Sequence, residues 1–171
     1  MELHTKREMV EALDSARADW AAVLDGLTPE QMEQHGALGD WPFRDVVSHL
    51  TGWRKRTVAR FEAAQRGSEL EPPPWPAEMD DDDGVDDVNA WIHESDSKRP
   101  LAEVLAESDS TFQRLDTALR AIPEEDLLAP GRFSSTGPYS LGYYLEGSLE
   151  HYDEHKQELR DWLATRQQQR D

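Results

Sequence analysis

Apolar residues recur at helical spacing along most of this chain. Met9, Val10, Leu13, Ala16, Trp20, Val23 and Leu24 mark one face of residues 5–25, with charges on the other face. Thr28-Pro-Glu-Gln31 follows as a capped single turn, with Thr at the N-cap and Pro at the first helical position. A second helix is predicted from near Asp40-Trp-Pro-Phe43, carrying Val46, Val47, Leu50, Trp53, Val58 and Phe61 and ending before Gly67. A third helical region starts at Val85 with Val88, Trp91 and Ile92. Pro100 interrupts it before Leu101, Val104, Leu105, Phe112, Leu115, Leu119 and Ile122. Pro123-Glu-Glu-Asp126 is another capped turn, too short an echo of the first to establish a repeat, and residues 127–139 read as loop. The last helix opens at Ser140 and runs to about Gln167, with Leu141, Leu145, Ser148, Tyr152, His155, Leu159 and Trp162 along one stripe. Four long amphipathic helices without strand alternation predict an all-α four-helix bundle, residues 1–171 forming one domain.

Between the second and third helices the pattern breaks. Glu71-Pro-Pro-Pro-Trp-Pro76 cannot be helical, and Asp80 to Asp83 is a run of like charges closed by Gly84. Residues 67–84 are therefore expected to form a long crossing loop, extended by its prolines and pinned to the bundle by Trp75. Such a loop permits a crossover instead of a simple up-and-down order. A calcium loop would need acidic residues where Met79 and Ala90 stand, so the Asp run reads as a solvated charge run.

Composition narrows the function. With a formal net charge of −18, the chain is expected to bind neither nucleic acid nor an anionic membrane surface, and to take a cationic or neutral small molecule instead. There is no cysteine, hence no disulfide and no protein thiol nucleophile. No apolar run approaches the roughly 20 residues of a membrane span. Met1-Glu-Leu-His-Thr-Lys-Arg-Glu lacks the apolar core of a signal peptide, so a cytoplasmic location is expected.

The candidate chemistry lies in the histidines. His151 and His155 are four apart in Glu150-His-Tyr-Asp-Glu-His155, which places them on one helix face about 6 Å apart along the axis. His49 sits among Val46, Leu50 and Trp53 on the second helix. Three imidazoles facing one core are costly unless their nitrogens are satisfied, and a divalent metal at an open three-ligand site satisfies them. His151-Tyr-Asp-Glu-His155 also matches the H-x-x-E-H peptidase signature, but only 16 residues follow His155, too few for the further ligand that signature needs. The peptidase is rejected. His4, His35 and His93 have no comparable setting and read as surface or boundary residues.

Asp40-Trp-Pro-Phe-Arg-Asp-Val-Val-Ser-His49-Leu-Thr-Gly-Trp53 resembles the D-W-x-x-x-D-v-x-x-H-l-x-x-W block of the DinB-like four-helix bundles, and Glu150-His-Tyr-x-Glu-His155 resembles their fourth-helix H-x-x-x-H. Asn89-Ala-Trp-Ile-His-Glu94, Arg99-Pro-Leu-Ala-Glu-Val-Leu105 and Ile122-Pro-Glu-Glu-Asp-Leu127 are similar to the ClbS/DfsB branch of that superfamily. The resemblance implies an up-down-down-up bundle with nickel or zinc held by three histidines, at the matching positions His49, His151 and His155. It also implies, for some relatives, thiol transfer with a low-molecular-weight thiol such as bacillithiol or mycothiol. For the ClbS/DfsB branch it implies self-protection against a reactive, DNA-alkylating metabolite. Related bundles often dimerise, which makes a homodimer the implied assembly.

The function expected on these grounds is metal-dependent chemistry on a small electrophilic molecule, by thiol transfer or hydrolysis, in detoxification or self-resistance. Ser148 is expected to leave room for substrate or cofactor beside the metal, with Trp53 as an apolar wall. Tyr144 or Tyr152 is expected to donate a hydrogen bond to developing negative charge. The alternatives are a non-catalytic protein that sequesters a reactive metabolite, and a helical interaction module whose histidines are core residues.

Overall fold

The protein is described here by a computed structural model covering residues 2–76, 78–79 and 84–168, with the side chains of 166–168 left aside. Among the described residues it is helical throughout: α1 (Lys6–Asp25), α2 (Pro29–Met32), α3 (Phe43–Arg66), α4 (Val85–Asp96), α5 (Leu101–Ala121), α6 (Glu124–Leu128) and α7 (Leu141–Gln168), with one 3-10 turn at Ser134–Thr136. The long elements α1, α3, α5 and α7 make the bundle. The Asp80 to Asp83 run, read from sequence as a solvated charge cluster, lies outside the described residues.

Local chemistry sets most of the boundaries. Thr5 caps α1 in a reciprocal box with Glu8, and Thr28 caps α2 in the same way with Gln31. α3 ends at Gly67, whose φ of 64° is the left-handed cap that an L side chain resists. Pro100 stands at the N-cap of α5, so the third helical region predicted from sequence is divided there into α4 and α5.

Side-chain pairings across the bundle give its path. Arg17 meets Asp109 while Arg120 meets Asp14, so α1 and α5 run antiparallel. Leu3 N–H donates to Glu146 and Lys156 pairs with Asp19, so α1 and α7 run parallel. Arg54 reaches Ser108 and Arg114 reaches Glu62, which makes α3 and α5 parallel. His49 meets His151 while the Arg60 guanidinium lies over Tyr144, which makes α3 and α7 antiparallel. The order is therefore up-down-down-up. A parallel α3–α5 pair demands a crossing connection, and Trp75 and α4 lie within it.

The main core gathers Met9, Leu13, Trp20, Phe43, Val46, Leu50, Phe61, Leu115, Leu119, Leu145 and Leu159, all essentially out of solvent. Each such side chain contributes about 1.5–3 kcal/mol by leaving water. A second, smaller cluster pins the crossover: Trp75, Val88 and Ile92 are buried, with Trp53, Met79 and Trp91 packed against them. Gly52 permits that approach, because a Cβ there would stand 2.8 Å from Ile92 Cδ1.

One buried residue is a cation. The Arg54 side chain is 1% exposed in the middle of the bundle, its guanidinium 3.7 Å from the centre of the Phe112 ring. It donates to Thr111 Oγ1, to the Tyr152 hydroxyl, to Thr51 and to both the carbonyl and the hydroxyl of Ser108. Burial pushes its pKa down to about 9, with Asp109 opposing. These contacts tie α3, α5 and α7 at one level.

Candidate metal centre

α3 and α7 cross where His49 faces His151 and His155. The Nε2 atom of His151 lies 3.0 Å from His49 Nε2 and 3.0 Å from His155 Nε2. The three residues offer ligand atoms that all lie within 4.8 Å of one another. Their rings meet edge to face, with centroids 4.9, 5.1 and 4.8 Å apart. The i, i+4 spacing on α7 stacks two of these rings on one face, and the antiparallel pairing brings the third across from α3.

The environment favours neutral rings at His49 and His151. His49 is 4% exposed, and burial, helped by the adjacent His151 and His155, pushes its pKa down to about 3. Burial, and then His155, pushes His151 down to about 4. His155 Nδ1 lies 2.7 Å from Glu158 Oε2, so Nδ1–H donates to that carboxylate and Nε2 faces the cluster.

These residues fit a metal ion. Three ring nitrogens gathered at one point cannot satisfy one another, because a single N–H serves one neighbour and leaves the next facing an unmatched atom. Ligands about 2.0–2.1 Å from a common ion, at angles between square and tetrahedral, stand roughly 2.9–3.4 Å apart. The two 3.0 Å separations from His151 fall in that range, and His49 and His155, within 4.8 Å of each other, would close on a shared ion. The donor set, three imidazoles without thiolate, suits nickel or zinc.

His151 also lines a cleft of about 300 Å³ that opens between α3 and α7. Trp53, Tyr144 and Ser148 line it as well, so the structure brings these three sequence-selected residues together beside the triad. Trp53 is anchored through its indole N–H to Asn89 Oδ1, 2.8 Å away. The Tyr144 hydroxyl donates to the Thr136 carbonyl at 3.3 Å, and Arg60 lies 4.1 Å above its ring. Its proton is thus directed at backbone, and what the cleft receives is its ring.

Tyr152 is placed elsewhere, which corrects the expectation that it donates to substrate. It is 4% exposed, edge-on to Trp20 at 5.2 Å and tilted against Phe112 at 5.3 Å. Its hydroxyl accepts from Arg54. One position along a helix turns a side chain by about 100°. His151 therefore faces the cleft while Tyr152 enters the core.

Beside the triad stands a group that sequence reading passed over. A tight turn, closed by Trp41 N–H donating to the Leu38 carbonyl at 2.9 Å, carries Trp41 over the start of α3. Trp41 stacks on His93 at 4.6 Å and meets His49 edge-on at 5.8 Å. His93 Nε2 is 3.0 Å from Oδ2 of the buried Asp45, whose other oxygen accepts from Arg44 Nε at 2.9 Å. His93 is therefore a half-buried support for the Trp41 wall, a boundary residue as expected, and His4 and His35 are exposed. The only sequence signal was Asp45 one turn before His49, and nothing near it pointed to a partner in α4.

Among the described residues no helix is long and apolar enough to cross a membrane. A search of curated proteins finds no match to the sequence. Solved structures share the fold. A protein from Streptococcus pneumoniae superposes with a TM-score of 0.81 at 12% identity, over 96% of this chain and 93% of that one. The sibling lethal factor precursor DfsB does so with a TM-score of 0.79 at 13% identity, over 96% and 98%. The colibactin self-resistance protein ClbS, crystallised with double-stranded DNA, has a TM-score of 0.73 at 13% identity, over 94% and 96%. The ClbS–DNA complex overturns the exclusion of nucleic acid drawn above from net charge. A protein of this fold does bind a duplex, and net charge is a sum that leaves the local arrangement of cations undetermined. A profile of the DinB superfamily matches residues 12–159, and the protein belongs to that superfamily.

Proposed function

We propose that this protein is a metal-dependent enzyme acting on a small electrophilic molecule, by thiol transfer or hydrolysis, in detoxification or self-resistance. One observation carries the proposal: three imidazoles converge at the edge of a cleft large enough for a small molecule. His49, His151 and His155 would hold the metal, with the Glu158 carboxylate fixing the tautomer of His155. A nickel or zinc ion with an open position lowers the pKa of a bound thiol or water, so that the nucleophile exists near neutral pH. The chain has no cysteine, so a sulfur nucleophile must come from a small thiol such as bacillithiol or mycothiol. Ser148 leaves space beside His151, and Trp53 and the Tyr144 ring form apolar walls that limit water around the reacting groups.

The test is turnover. Protein stripped by chelator and reloaded with nickel or zinc is incubated with a thiol and 1-chloro-2,4-dinitrobenzene. The proposal expects many equivalents of product per chain, and a loss of at least 100-fold in His49→Ala. Product or captured ligand that stops at one equivalent would instead support sequestration.

A further inference from the structure

Gly147 lies in the interior of α7, one turn before His151 and on the same face. Glycine weakens a helix interior relative to alanine, so a helical glycine calls for a reason. At Gly142 of the same helix the reason is packing, since a Cβ there would stand 2.6 Å from Met9 Cε. At Gly147 a Cβ would meet nothing within 4 Å, and the backbone has no positive φ. Neither crowding nor backbone geometry accounts for the residue. What it does is leave a stretch of the cleft lining without a side chain, one helical turn from His151.

Aromatic surface flanks that bare stretch. Trp53 lines the cleft from α3 and Tyr143 from α7. Tyr143 is 53% exposed, an unusual exposure for so large a ring, and it is held by stacking on Tyr139 at 4.4 Å and 13°. The charged lining cancels: Arg56 and Arg60 are matched by Glu146 and Glu150, in a chain whose net charge is −18. A neutral lining with aromatic sides and a bare glycine stretch suits an uncharged flat group and offers an ion no net attraction.

From this we infer that Gly147 is the specificity-determining position of the cleft, keeping open a slot that admits an uncharged planar portion of the ligand between Trp53 and Tyr143 toward His151. The inference rests on the cleft being the substrate site.

Two probes of the same carbon skeleton test it: planar 2-naphthol and its saturated, puckered counterpart 2-decalol. Binding is followed on ¹⁵N-labelled full-length protein through the Gly147 amide and Trp53 indole signals. The expected result is at least tenfold tighter binding of 2-naphthol than of 2-decalol. Gly147→Leu should weaken 2-naphthol binding at least tenfold with the thermal midpoint at or above that of the wild type, and Gly147→Ala should change it less than threefold. Trp53→Leu, a second route should the first variant fail to fold, should abolish the preference for the planar probe. Equal binding of the two probes, or unchanged 2-naphthol binding by Gly147→Leu, overturns the slot. Nickel titration of the same samples separates the two claims. Nickel uptake without planar selectivity removes the slot alone, and selectivity lost in Gly147→Leu without any nickel uptake removes the metal reading alone.

Discussion

Acid should destabilise the metal-free protein through His49, and the effect can be isolated by a single variant. Burial holds the His49 imidazole at about 3 in the folded chain, against about 6.5 when unfolded. The unfolded state therefore binds a proton that the folded state refuses. Stability from this residue is fully present above about pH 6.5 and drains away as pH falls toward 3. The loss is about RT ln(1 + 10^(6.5 − pH)), which gives about 1.4 kcal/mol at pH 5.5 and about 2.7 kcal/mol at pH 4.5. Urea unfolding of chelator-treated wild type and of His49→Leu, at pH 7.5, 5.5 and 4.5, measures it. Carboxylates and net charge titrate in both proteins, so their effects cancel in the difference. The wild type should lose about 1.4 and then about 2.7 kcal/mol relative to the variant. A difference flat with pH would mean that His49 is protonated or solvated in the fold, and the reasoning about a neutral, buried His49 would fail.

Three further outcomes follow from particular contacts. Arg54→Met should change stability by no more than about 2 kcal/mol, because the lost hydrogen bonds are offset by no longer burying a cation. Arg54→Ala should cost about 3–5 kcal/mol through the cavity it leaves, so urea midpoints that rank the two variants the other way would refute this account of the core. Glu158→Gln should weaken metal affinity about 10-fold or more by loosening the His155 tautomer, as read by competitive titration against a chelator; unchanged affinity would make the 2.7 Å contact incidental. Gly52→Ala should cost about 1–3 kcal/mol and loosen α4 from α3, seen as faster amide exchange in 85–96.

Much of the bundle was legible because its helices repeat apolar residues at 3 and 4, and because Pro100 and Gly67 punctuate them in ways that only backbone sterics require. The histidines were legible for the same reason: four apart on one helix is a statement about geometry. Sequence was weaker where neighbouring rows of one helix compete. On α3 the apolar count ran through Leu50, Trp53, Val58 and Phe61, yet the row that enters the core is Leu50, Arg54, Val58 and Phe61, while Trp53 turns to the cleft and the crossover. A charge at 54 masked the row, since the hydroxyls of Ser108, Thr111 and Tyr152 that it reaches lie on other helices. On α7, Tyr152 and His155 share one stripe in sequence, but the stripe is wide enough to divide between the core and the histidine cluster. The His93–Asp45 contact joins residues 48 apart and could not be read from either one.

The central claim is that His49, His151 and His155 together hold one divalent ion. The most direct measurement is calorimetric titration of nickel or zinc into chelator-stripped protein, with elemental analysis of the loaded product, for the wild type and for each single His→Ala variant. One ion per chain, lost or weakened at least 100-fold in every variant, is the predicted result. An ion bound as well by the three variants as by the wild type, or no binding to the wild type at all, would contradict it.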